Sequence, residues 1–176
     1  MSTRHRQIAL DLYAEAARAG QLGGGRLRVR GDCMAPLLVD GDEVQLAAPG
    51  ERPPRPGQIV LARLGGELLC HRLLAASGGH CQLAGDTDLR LDRVPQGDLL
   101  GTVTAISTPR FGGARLELPV RPSVWESWLA GWLLWSCSGR GPLERRLEGL
   151  RRRLLALHAA RRWRQAQPSR PSDPRQ

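Results

Sequence analysis

Between residues 27 and 106 the chain is a ladder of short β-compatible runs cut by Gly and Pro turns, a spacing that points to an antiparallel fold. Leu27-Arg28-Val29-Arg30 alternates as a half-buried strand does, and Asp40-Gly41-Asp42 turns into a run over 43–47. Four prolines and two glycines fill residues 49–57, which read as a loop. Residues 58–64 and 67–75 flank Gly65-Gly66 as a hairpin. Ser77-Gly78-Gly79 turns into 80–84, and Val94 with 99–106 supplies the last strand signals. No helical pattern alternates with these runs, so β/α units are excluded and a mostly β domain over residues 26–108 is expected.

The flanks read differently. Residues 4–19 gather Ile8, Leu12 and Ala16 with Ala9 and Tyr13 on one face, a modest amphipathic helix ended by Gly20 and the glycines at 23–25. Residues 1–25 are thus a helix and a Gly-rich linker. Beyond Pro109 all five tryptophans fall between Trp125 and Trp163, so 121–166 reads as a Trp/Arg-rich helical segment. Within it Leu143, Leu147, Leu150, Leu154 and Leu157 form one stripe of a second helix. Residues 167–176, rich in Pro, Ser and Arg, read as a disordered tail.

The net charge is +9, and all 26 cations are arginine. Without lysine, no mechanism that uses an amine base or a Schiff base is open. The first 20 residues are charged and lack an apolar core, so no signal peptide is expected. The longest apolar stretch, near Trp128 to Trp135, falls short of a membrane span of ~20 residues. The four cysteines, Cys33, Cys70, Cys81 and Cys137, lack CxxC spacing. Free thiols in a reducing cytoplasm are the expectation.

The chemistry concentrates in Gly31-Asp32-Cys33-Met34-Ala35-Pro36-Leu37-Leu38 and the Gly41-Asp42 turn that follows. This segment resembles the nucleophile box of the signal peptidase family and its relatives, the self-cleaving SOS repressors, with Cys33 at the serine position. Pro56-Gly57-Gln58-Ile59-Val60 is similar to that family's strand entry. Cys70-His71-Arg72-Leu73 resembles the His-Arg block of the archaeal and endoplasmic-reticulum branch. Gly85-Asp86-Thr87, with Asp92 six residues after Asp86, resembles its Gly-Asp box, and Gly101-Thr102-Val103 its closing strand. The likeness covers roughly residues 27–106. It implies a partly closed β domain and a peptidase acting through Cys33, with His71 as base and Asp92 or Asp86 orienting the ring. It also implies an oxyanion hole using the backbone N–H of Cys33, beside Gly31 and Asp32, with Met34 packing and Pro36 shaping the turn.

The residues support that chemistry on their own terms. A thiol attacks as thiolate, and a neighbouring imidazole with a carboxylate behind it supplies the nucleophile–base–orienter set. A rival set, Cys70-His71 with His80-Cys81, has the ligand types of a zinc site, but adjacent ligands on a strand point to opposite faces. No cofactor is expected. The expected substrate is a peptide or precursor protein bound in extended form along a strand edge. The alternative is a catalytically inactive peptide-binding or membrane-docking module of the same fold. A third option, a regulator that cleaves itself, lacks a DNA-binding head in the first 25 residues.

Trp125, Trp128, Trp132 and Trp135 recur at helical spacing ahead of an Arg-rich helix. Two readings stand: peripheral contact with an anionic membrane through residues 121–166, or a Trp face packed on the β domain with solvated arginines. No helix-turn-helix or RNA motif accompanies the arginines, so nucleic acid is not the expected partner.

Overall fold

The computed structural model describes residues 26–47, 53–87, 90–119, 122–138 and 142–166. The helix expected over 4–19 and the tail from 167 lie outside the described residues. Eight strands are present among those described: β1 (Arg26–Arg28), β2 (Glu43–Ala47), β3 (Ile59–Leu64), β4 (Glu67–Ser77), β5 (His80–Ala84), β6 (Asp92–Pro95), β7 (Leu99–Thr108) and β8 (Ala114–Glu117). They form one antiparallel sheet in the order β1-β2-β7-β3-β4-β5-β6, with β8 on β7, curled into a partly closed half-barrel. Two helices follow, α1 (Val124–Ser138) and α2 (Pro142–Ala166).

The central strand β3 shows why the sheet curls. Its Ile59-Val60-Leu61-Ala62 run is apolar without alternation and is buried on both faces. Ile59 and Leu61 join Met34, Leu37, Leu38, Val44, Val103 and Ile106 in the main core. Val60 and Ala62 join Leu73, Leu83 and Val94 in a second core on the opposite face.

β8 lies beyond the last strand signal read from the sequence. Gly112 and Gly113, both at positive φ (65° and 81°), turn the chain back so that Ala114 pairs with Thr108 and Glu117 with Ala105.

α1 begins on a capping box. Ser123 N donates to Glu126 Oε2 at 2.7 Å, and Glu126 N donates back to Ser123 Oγ at 3.2 Å. Leu129, Ala130 and Leu133 of α1 pack on Leu74 and Ala84 of the sheet, together with Leu155 of α2. Gly57 lets the helix approach, because a Cβ there would lie 2.9 Å from the Glu126 carbonyl.

Among the described side chains, the leucine stripe read from the sequence is not the face that α2 buries. Leu150 and Leu157 are exposed, and the buried positions are Arg151, Leu155, Ala159 and Trp163, each four residues from the last. Ala159 and Trp163 enter the main core, where the Trp163 indole donates to Leu37 O at 3.1 Å. On α1 the core-facing residues are likewise Leu129, Ala130 and Leu133, while Trp128 is exposed and Trp125 and Trp132 are half-buried. The side chains of Trp135, Leu143 and Leu147 lie outside the described residues. No helix among the described residues is long and apolar enough to cross a membrane.

Candidate active site

The segment carrying Cys33 spans the gap between β1 and β2 and is anchored from both ends. Met34, Leu37 and Leu38 are buried in the main core, and Ala35 N and Leu38 N donate to Asp32 O and Met34 O, giving a tight helical turn. Gly31, at φ 86°, donates its N–H to Asp40 Oδ1, and Asp32 Oδ1 accepts from Asp40 N. Pro36 follows a cis peptide bond within this turn. These contacts leave Cys33 half-buried, packed against the main core and lining a cleft.

The Gly85-Asp86-Thr87 box holds the Cys33 segment from the other side. Thr87 N donates to Cys33 O at 2.9 Å, and the Thr87 hydroxyl lies 2.9 Å from Cys33 O and 3.0 Å from Asp32 O. One hydroxyl proton serves one acceptor at a time, so it is shared between the two carbonyls. A Cβ on Gly85 would stand 2.6 Å from Cys33 O, closer than real contacts allow. Gly85→Ala is therefore expected to push the Cys33 carbonyl off Thr87. It should slow thiol labelling at Cys33 at least ten-fold while the far-ultraviolet circular dichroism stays that of the parent. An unchanged labelling rate would show that this contact does not position Cys33.

His71 and Asp92 meet across three strands. His71 lies two residues before Leu73 on β4, Asp92 lies two before Val94 on β6, and Leu83 of β5 pairs with both Leu73 and Asp92. The period of two therefore sets both polar side chains on the face of the second core. There His71 Nδ1 is 3.1 Å from Asp92 Oδ2, and both side chains are more than nine-tenths buried. Arg90 Nε stands 3.5 Å from the other Asp92 oxygen.

Asp86 is committed elsewhere. Its two oxygens accept from Arg72 Nε and NH2, each at 2.7 Å, and both side chains are fully buried. A third guanidinium donor, NH1, reaches Gly57 O at 2.6 Å. Burial alone would push Arg72 down, but the Asp86 carboxylate and its hydrogen bond hold it above its ordinary value. Arg72 thus ties the Gly-Asp box to the loop under α1, a role its place in the His-Arg block does not disclose. Thr87 was likewise not singled out in the sequence, although the Gly-Asp-Thr triplet could have pointed to it.

Cys33 and His71 line one cleft of about 240 Å³, whose floor includes Leu61, Leu68 and Cys70. One wall is residues 27–30, beside the terminal strand β1; the other is residues 68–71 of β4. β5 pairs with β4 only from Arg72 onward, so the first half of β4 has β3 on one side alone. Burial, reinforced by neighbouring Cys33 and by Asp86, pushes the Cys70 thiol up to about 12. Burial likewise raises Cys81. Neither is poised to ionise near neutrality.

The zinc alternative fails on register. His80 pairs with Ser77 and Cys81 with Ala76, so six residues of β4 separate Cys81 from Cys70, roughly 20 Å at ~3.3 Å per residue.

Residues 15–88 match the Peptidase S24-like family, less than half of the chain. The matched stretch includes Cys33, His71, Arg72 and Asp86 and stops short of Asp92. The similarity supports the superfamily of signal peptidases and SOS repressors and suggests a peptidase-type function. No curated protein matches the chain.

Proposed function

We propose that this protein is a peptidase that cleaves a peptide or precursor protein through an acyl-enzyme on Cys33. The observation that carries this reading is the buried His71–Asp92 pair, with His71 and Cys33 both among the residues that line one cleft. In this reading Asp92, 3.1 Å from Nδ1, favours the ring proton on that nitrogen and leaves Nε2 as the basic atom. His71 takes the thiol proton of Cys33, and the imidazolium is stabilised by Asp92. The thiolate attacks the scissile carbonyl, and the backbone N–H of Cys33 helps to hold the oxyanion. His71 then returns the proton to the leaving amine, and a water molecule deprotonated by the same imidazole hydrolyses the thioester. Asp86, held through both oxygens by Arg72, is assigned to shaping the site rather than to orienting the base. The half-paired β4 and the terminal strand β1 offer backbone donors and acceptors for an extended substrate between them.

The test is alkylation by iodoacetamide across pH, read by peptide mass spectrometry. Below about pH 7 an ordinary thiol is largely protonated. Cys33 is expected to label there, while Cys70 and Cys81 stay unmodified until the chain unfolds. If Cys33 reacts no faster than Cys137 in that range, the catalytic reading is lost.

A further inference from the structure

α2 has apolar residues on two faces, and the fold uses only one of them. The inner face, Leu155, Ala159 and Trp163, is buried. The outer stripe runs Leu150, Leu154, Leu157, spaced four and three residues apart, with Leu150 50% and Leu157 63% exposed. It continues onto α1 through Trp125, which shares a cleft of about 470 Å³ with Leu154 and Leu157. From Trp125 a ladder of rings leads outward, 5.0 Å to Trp128 and 5.5 Å from Trp128 to Trp132. Trp128, in the middle of the ladder, is half exposed.

The cleft is polar at its other end. Arg161, Arg162 and His158 line it, and the buried atoms Trp125 Nε1, His158 Nε2 and Arg162 Nε have no hydrogen-bond partner among the described residues. Unpartnered buried polar atoms are costly, and a ligand with several acceptor oxygens would satisfy the donors among them. Burial pushes the His158 imidazole down, so the positive charge here comes from arginine. Arg153 and Arg161, both exposed, form no ion pair among the described residues. The acid near the cleft, Glu126, is occupied by Ser123 and lies 4.0 Å from Arg162.

We propose that this face docks on an anionic lipid surface. The Trp and Leu ladder lies at the boundary of the acyl chains, and the cleft takes a phosphate headgroup. The cations favour lipid over a second copy of the chain, because a symmetric contact through this face would set Arg153 and Arg161 against themselves. Neither helix has the length and apolarity to cross the bilayer, so the arrangement lies on the surface.

The experiment is co-sedimentation of the full chain with vesicles of phosphatidylcholine alone or mixed with phosphatidylglycerol. Binding is expected only to the mixed vesicles, with a blue shift in tryptophan emission and loss at high salt. Arg153→Gln and Arg161→Gln should each weaken it about five-fold. Leu157→Glu, at a position too exposed to unsettle the fold, should abolish it with unchanged circular dichroism. Equal affinity for both vesicles, or none for either, overturns the proposal. A response to inorganic phosphate without vesicle binding would identify a soluble-anion site instead. A concentration-dependent dimer that Leu157→Glu dissolves would assign the face to a second copy.

Discussion

Removing the imidazole by His71→Ala is expected to lower kcat/KM on a peptide substrate by about 10²–10⁴-fold, the usual contribution of a positioned general base. The loss should depend on the nucleophile. With Cys33 in place, a few per cent of the thiol still ionises near neutrality without help. In a Cys33→Ser background the hydroxyl essentially does not ionise unaided, so His71→Ala should cost far more there. Cys33→Ser alone should retain the fold and weak activity. Rates for the four combinations form a double-mutant cycle. Equal losses in both backgrounds would mean that His71 is not the base for residue 33. Within the same assay Asp92→Asn should slow turnover by misplacing the ring proton, as expected for the residue at Nδ1.

The second large effect is on stability. Arg72→Met leaves the Asp86 carboxylate buried without its partner and strands Gly57 O, and should cost about 3–5 kcal/mol. Urea unfolding would show this as a lower midpoint with an unchanged slope. Arg72→Met combined with Asp86→Leu should recover most of the loss, because replacing a whole buried pair by apolar groups is often neutral. Strict additivity of the two single changes would show that the pair does not act as a unit.

How much of this was legible in the sequence follows from what each signal depends on. The strands from β1 to β7 announce themselves through local apolar runs and Gly turns, and the structure places strands at every one of those runs. β8 has only Ala114-Arg115-Leu116-Glu117, four residues with two apolar, and becomes a strand because β7 offers a free stretch beyond its pairing with β3. The inner face of α2 was hidden because Arg151 does not look like a core residue. It is 1% exposed, and its guanidinium NH2 reaches Thr87 O at 3.3 Å. The leucines made the more regular pattern and marked the outer face. Two carboxylates, Asp92 first and Asp86 second, were open as partners of His71. Their separation needs the register of β4, β5 and β6, which no spacing along the chain encodes. Thr87 escaped because its work is done on backbone carbonyls 54 and 55 residues away.

The position of Asp92 has a consequence for how the proposed activity would respond to heat. β6 is the last strand of the sheet, four residues paired with β5 alone along its ladder. Terminal strands of this kind open locally at a fraction of the free energy of global unfolding, and their amides exchange with solvent first. Each such opening carries Asp92 away from His71 while Cys33 stays clamped by Thr87 and the central strands stay closed. With Asp92 in the orienting role proposed for it, activity is expected to be lost with fraying at one margin of the sheet, while most of the fold is still intact.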